Sequence, residues 1–442
     1  MRPAAWLAWL AGGASAFAQN GVDEDALFAD TVLIVDSASR VNNAAVAEEA
    51  REKKTVGLSG NILSMGIIGA ERAYLDAPDV ERTSLASVAV ADVSLDARLL
   101  RGFRAFATLE WSAQAAGGRS DSGMADFRAP ELFLDANIGH RAYFRVGKQV
   151  LQWGRGFFFN PTDLVNVERK TFFRRIGNRE GTYGAKVHAP FGTVANLYGF
   201  LDVRGVGRPD SLAGAAKAEW LWGRTEMAIM LWDRIGRAPV YGSDVSTRAL
   251  GLDITAEFAL HQAFEVKTLD LSGAIPRIDT TRREWMPRAS LGLGRSFTVS
   301  GVRDRLTTVA EFYYNRPGSI SGRLPFPDPE ALGLPPGTPL SPSLVLAALA
   351  AAGIYEPNSY SRHYAAFFAT FGRFLRSDLT LSFNAIGNLD QGCVLLSTGL
   401  VYRDLNDFSL SLSVNAFAGP ENTEYTFSRQ AVQVQAIGEA AF

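Results

Sequence analysis

The sequence predicts an all-β protein: a single transmembrane antiparallel β-barrel of about eighteen strands, with about sixteen as the lower bound. Three observations lead there. From residue 55 to the end, apolar and polar residues alternate with period two. Many of these runs reach about ten residues or more, the length a tilted strand needs to cross a bilayer. The connections between runs alternate between short turns and long loops, the asymmetry of an outer-membrane barrel. Beyond the first few positions no apolar window of about 20 residues occurs, so the chain has no helix of spanning length.

The chain opens with Arg2, an apolar run over 4–10, and Ala16-Phe17-Ala18 ahead of Gln19. This is the charged n-region, short h-region and A-x-A site of a secretory signal peptide, predicted over 1–18. Residues 19–54 read as a periplasmic N-terminal segment, largely flexible. Asp23, Glu24, Asp25, Asp30 and Asp36 surround a short apolar run over 32–35, and a polar, Ala-rich stretch follows to residue 54. A sharper reading has residues 31–35 add a strand to a periplasmic protein partner. The barrel is assigned to 55–442, with outer-membrane lipid around it. A net charge of −2 gives no case for nucleic acid as a partner. The single Cys393 cannot form an internal disulfide. There is no Cys/His cluster for a metal, and no cofactor is expected.

The first strands carry the clearest alternation. Over 84–99, Leu85, Ala89, Ala91, Val93, Leu95 and Leu99 share one face, with Asp92, Ser94, Asp96 and Arg98 on the other. Over 103–114, Phe103, Ala105, Ala107, Leu109, Trp111 and Ala113 oppose Arg104, Thr108, Glu110, Ser112 and Gln114. Leu132, Leu134, Ala136 and Ile138 alternate with Glu131, Asp135 and Asn137. Further strands are predicted at 141–151, 180–189, 191–203, 213–222, 223–234, 246–258, 260–273, 287–299 and 304–316. The series ends with 361–374, 376–388, 392–402, 405–418 and 429–442, after a first strand over 55–69. Short turns fall at Arg101-Gly102, Gly139-His140, Pro190, Gly223, His261, Leu375-Arg376 and Asp404. The long loops are 70–83, 117–127, 152–179, 204–212, 235–245, 274–286, 317–360 and 419–428. Only the connection near Asp390-Gln391 departs from the series. Short turns on the periplasmic side and long loops outside place both barrel ends in the periplasm.

One loop is unlike the others. The strand in which Ala142, Phe144 and Val146 alternate with Tyr143 and Arg145 breaks at Trp153-Gly154 and Gly156. The chain then runs through three phenylalanines to Asn160-Pro161, where a turn starts. Bases at Arg155, Arg169, Lys170, Arg174, Arg175 and Arg179 outnumber the acids Asp163, Glu168 and Glu180. Rings and charges together need both a wall and water, which the lumen of a wide barrel supplies. Residues 153–179 are therefore expected to fold inward and narrow the pore, with Arg155, Asp163, Glu168, Arg169, Lys170, Arg174, Arg175 and Arg179 as constriction candidates. Trp153, Gly154, Gly156, Asn160 and Pro161 shape the loop. The competing reading is an ordinary exposed loop.

Gly147-Lys148-Gln149, then Gln152-Trp153-Gly154, then Asn160-Pro161-Thr162-Asp163 also resembles a known pattern. In a group of large outer-membrane barrels near the alginate-export-type and porin-like families, a G-[RK]-Q strand runs into W-G and N-P-x-D. The match covers about 20 residues, and Arg155 replaces the acidic or small residue more usual after Trp-Gly. The resemblance implies the barrel fold and an outer-membrane location. Phe442, an aromatic after Val432, Val434 and Ala436, resembles the signal by which such barrels meet their insertion machinery.

The inner wall is expected to carry Asp92, Asp96, Arg98, Arg104, Glu110, Glu131, Asp135, Lys217, Glu219, Arg248, Asp253, Glu257 and Glu311, mostly paired across strands. Catalysis is not expected. His140, His188 and His261 fall at predicted periplasmic turns, and His363 has no acid close to it in sequence. Over 317–360 a Pro-rich half precedes a helix-prone stretch, 343–353, read as a cover over the barrel mouth or as a lid. The expected role is a porin-like channel for passive passage of small solutes, with the base excess favouring anions. The alternative is the outer-membrane part of an export or envelope-assembly system.

Overall fold

The computed structural model describes residues 55–71, 83–99, 102–116, 124–139, 141–151, 153–165, 177–204, 212–262, 268–270, 277–279, 284–320, 324, 345–346, 349–350, 355–375, 378–405, 407–428 and 430–442. The predicted signal peptide, the 19–54 segment and the constriction candidates Glu168, Arg169, Lys170, Arg174 and Arg175 lie outside the described residues. The strands are β1 (Thr55–Glu71), β2 (Thr83–Arg98), β3 (Arg104–Ala116), β4 (Met124–Ile138), β5 (Ala142–Gln149), β6 (Thr182–Phe191) and β7 (Ala195–Asp202). They continue as β8 (Ala213–Trp222), β9 (Thr225–Arg234), β10 (Val240–Ala249), β11 (Leu252–Gln262), β12 (Thr268–Asp270) and β13 (Arg277–Asp279). The last are β14 (Trp285–Val299), β15 (Val302–Asn315), β16 (His363–Phe371), β17 (Leu379–Asn388), β18 (Cys393–Leu405), β19 (Phe408–Ala418) and β20 (Gln430–Ala441).

Eighteen of these strands form one antiparallel sheet, each paired with its neighbour, and β1 pairs with β2 on one side and β20 on the other. The sheet is therefore a closed barrel. At the seam the Gly60 amide donates to the Phe442 carbonyl at 2.9 Å, and the Phe442 amide donates back to Gly60 at 3.0 Å. β12 and β13 make a separate two-stranded hairpin in the connection between β11 and β14.

The period-two pattern sorts side chains as the sequence predicts. On β2–β4, Val93, Leu95, Leu109, Trp111, Leu132 and Leu134 face outward and are exposed. The same holds for Ile229, Leu291, Phe312, Phe367 and Leu412 further round. An apolar belt encircling a protein is unfavourable in water and is what lipid tails require. The interleaved residues face the lumen, and there the polar side chains meet. Arg104 on β3 donates to Asp96 on β2 at 2.7 Å, and Arg145 on β5 donates to Asp135 on β4 at 2.6 Å. Arg248 on β10 pairs with Asp253 on β11 at 2.5 Å.

The strand series departs furthest from expectation between residues 240 and 273. The strands predicted at 246–258 and 260–273 are Val240–Ala249 and Leu252–Gln262 instead, joined by a turn at Leu250-Gly251. Leu250 has φ of 55° and Gly251 of 74°, the pair of left-handed residues that a tight hairpin needs. The parity reverses across the turn: Asp244, Ser246 and Arg248 are the polar, inward set on β10, whereas Asp253, Thr255 and Glu257 are that set on β11, and a single strand over 246–258 cannot hold both. The consequences are a loop-end connection of only 235–239, and a His261 in β11 rather than at a turn. The turns predicted at Pro190 and Asp404 also fall slightly later, with Pro190 inside β6.

Candidate functional site

Residues 153–165 lie inside the barrel. The Trp153 carbonyl accepts from Lys217 Nζ on β8 at 2.7 Å, and the Trp153 ring packs with Phe200, Met230 and Trp232 on the lumen wall. The Arg155 guanidinium meets Glu219 on β8 at 3.4 Å, Glu226 on β9, and Asp244 on β10 at 2.5 Å. Phe157, Phe158 and Phe159 reach the wall on the far side. Phe157 and Phe158 lie 4.7 and 5.7 Å from Phe368 on β16, and Phe159 stacks at 4.8 Å on Tyr313 of β15.

Counting round the ring from β5 through β6–β11, β14 and β15, β16 is the ninth strand, so it stands opposite. Nine tilted strands cover roughly 55 Å of wall. The chain from Gln149 to Phe158 reaches about 30 Å at most. The loop cannot follow the wall; it cuts across the lumen.

Its shape comes from the residues singled out in the sequence. A Cβ on Gly154 would stand 2.6 Å from Asn160 Oδ1 and 2.9 Å from Glu257 Oε1, so only glycine admits that approach. Asn160 Nδ2 donates to the Phe158 carbonyl at 3.1 Å, and the Asp163 amide donates to the Asn160 carbonyl at 3.2 Å, closing the turn at Pro161. Burial works against the charge on Arg155, but Asp244, Glu226 and Glu219 outweigh it and hold its pKa above the usual arginine value.

Below the loop, toward the short-turn end, lies a chamber of about 730 Å³. Arg98, Arg104, Arg145, Lys186 and His188 line one side, from β2, β3, β5 and β6; Glu219 and Glu226 line the other, and Arg155 also faces it. Lys186 makes no ion pair among the described residues. His188 stacks between Tyr198 at 4.5 Å and Tyr143 at 5.7 Å, and its Nε2 is 2.9 Å from Asn196.

At the opposite, long-loop end a buried carboxyl ties several connections together. Glu424 accepts from the Asn358 amide at 2.7 Å, the Tyr364 hydroxyl at 2.7 Å and Asn388 Nδ2 at 2.8 Å. Its own amide donates to Gln391 Oε1 at 2.7 Å. Burial pushes this carboxyl up to about 7, against the lowering effect of its three donors. The same burial, with Glu424 nearby, raises the Tyr355 and Tyr425 phenols. Beside this network, Val345 and Leu349 of the helix-prone stretch pack with Leu324, Tyr360 and Phe427 over the barrel mouth.

Of the predicted residues, Arg155 sits at the centre of the site. Asp163 and Arg179 pair with each other at 3.7 Å, away from the Arg155 cluster. Asp92 and Glu110 face each other on β2 and β3; Glu110 takes Arg128 at 2.6 Å and Glu131 takes the Val150 amide at 3.0 Å. His363, with no acid close to it in sequence, has Asp390 Oδ1, 27 positions away, at 2.9 Å from its Nδ1. That carboxylate also accepts the Arg362 and His363 amides, and the imidazole packs against Tyr314 and Phe312, of which Phe312 is exposed on the outer face. It braces a turn. Sequence reasoning missed Arg145, Lys186 and His188 as chamber residues, although their parity in strands 141–151 and 180–189 points inward. It missed Asp244 because the misplaced strand left residue 244 in a loop.

A closed eighteen-stranded barrel with an apolar outer belt, a polar lumen and one loop folded across it belongs to the class of membrane-spanning β-barrels with an internal loop. Among solved structures the chain is similar to Acinetobacter baumannii OccAB1, with a TM-score of 0.52 at 10% identity over 87% of this chain and 96% of that one. It is similar to Pseudomonas aeruginosa OccK5 (OpdH), with a TM-score of 0.50 at 10% identity over 87% and 98%. Pseudomonas aeruginosa OpdQ gives 0.50 at 7% identity over 88% and 97%. What is shared at such identity is the fold. The sequence matches no family model and none of the curated proteins.

Proposed function

We propose that the chain is a bacterial outer-membrane channel for passive passage of small polar solutes, narrowed by the loop that crosses its lumen. The observation that carries this reading is the chamber of about 730 Å³ beneath the loop, charged on both sides and set inside a barrel with an apolar belt. The histidine of the chamber, His188, is held between two tyrosines and hydrogen-bonded to Asn196, a packed wall position. The short-turn end is the periplasmic end on this reading, and the Phe442 ring there, 61% exposed, is the element offered to the insertion machinery.

Lys186, which makes no ion pair among the described residues, raises the local anion concentration on one side of the chamber, where Arg145 is held by Asp135. The test is ion selectivity in planar bilayers. Refolded protein should conduct without any partner, and Lys186→Glu should move the reversal potential toward cations, less so in high salt. A folded barrel that conducts no ions would overturn the channel reading. Unchanged selectivity in Lys186→Glu would remove the chamber from the permeation path.

A further inference from the structure

Two lumen carboxylates hold the crossing loop by its backbone. Glu257 on β11 accepts the amides of Arg155 and Gly156, each at 2.5 Å, and the amide and hydroxyl of Thr162 at 3.1 and 2.6 Å. Glu311 on β15 accepts three successive amides, Phe157 at 2.5 Å and Phe158 and Phe159 at 2.9 Å. Both side chains are buried, at 3% and 4% exposure. On the loop side, what surrounds each is a concave set of peptide N–H groups, the arrangement that suits an anion. A carboxylate with several such donors gains charge-assisted hydrogen bonds stronger than neutral ones.

We propose that Glu257 and Glu311 are the positioning residues of the constriction, fixing residues 155–162 across the barrel as a static sill whose place is set by backbone amides. This rests on the channel reading for its consequence, but not for its geometry. It predicts an asymmetry between loop and wall. Changing a loop side chain such as Phe157 leaves every amide in place, whereas changing either glutamate removes acceptors that no loop residue can replace. A glutamine keeps the size but offers one acceptor oxygen, and it brings a donor NH₂ against amide donors.

The experiment uses the full chain with Cys393→Ala and a reporter, Phe157→Cys, and measures two things in the Glu257→Gln, Glu311→Gln and double variants. The first is the rate at which a water-soluble thiol reagent labels the reporter; the second is single-channel conductance. Labelling should rise severalfold in each single variant and further in the double, and conductance should rise with it, while heat-modifiable migration is retained. A folded double variant whose labelling rate equals that of its parent overturns the proposal. Glu311→Asp, with a shorter side chain, should behave like Glu311→Gln rather than like the parent; parental labelling in that variant would also count against it. A protein that never conducts, yet whose labelling responds as expected, sinks the channel reading and leaves the positioning role intact.

Discussion

At the scale of single residues, Arg155 is the group on which the interior electrostatics turn. It is the cation against which Glu219, Glu226 and Asp244 are arranged, with Lys217 at 2.7 Å from Glu219 as the other base. Removing one partner from a buried ion cluster leaves the others unneutralised, a loss on the order of 3 kcal/mol. Arg155→Ala should therefore lower the denaturant midpoint of the refolded barrel and shift its selectivity strongly toward cations. A reversal potential equal to that of the parent would show that these acids do not face the ion path. The sequence marked Arg155 as unusual, since a base follows Trp-Gly. It could not show which acids receive it: they lie 64 to 89 positions away, on three strands. Glu257 and Glu311 were readable as lumen residues from parity alone. Their hold on backbone amides was not, because peptide N–H groups leave no mark in a sequence.

At the scale of elements, the connections at the long-loop end behave as one unit through Glu424. Its pKa in the fold is about 7 against an ordinary value of 4.5. A carboxyl raised in the folded state contributes stability that is fully present below its unfolded value and is lost as pH rises through the folded one. The cap formed by residues 355–361, 389–392 and 419–428 should thus be tightest below about pH 4.5 and loosen as pH passes about 7. Hydrogen exchange of residues 419–428, compared at pH 5 and pH 8 after correction for the intrinsic rate, tests this. Glu424→Gln should abolish the difference; a difference that survives it would assign the pH response to another group. The elements themselves were legible wherever alternation met a turn residue with a required conformation. They were misread at 246–273, where the turn is made by Leu250-Gly251, whose first residue has no turn preference, and only a reversal of parity between Arg248 and Asp253 marks it.

At the scale of the whole molecule, the barrel's direction across the membrane follows from its unequal ends. Leu250 is 96% exposed at the short-turn end, and Asn422 is exposed at the long-loop end. Cysteines placed at these two positions should differ in intact cells, with Asn422→Cys labelled by a membrane-impermeant reagent and Leu250→Cys protected until the envelope is opened. The reverse pattern would invert the topology. Strand number and closure were the most legible features of all, because each strand repeats the same evidence and one misplaced pair does not change the count.

Closure also fixes an order of events. Asn61 and Glu439 hydrogen-bond across the β1–β20 seam although 378 positions separate them in the chain. Until that seam forms, both edge strands present rows of unpaired amides and carbonyls, which hydrocarbon cannot solvate. A half-built sheet therefore cannot wait in the bilayer. Contacts this distant in sequence are also the slowest for a chain to find. The strand made last completes the one made first, so insertion into lipid has to be coupled to the joining of the two ends.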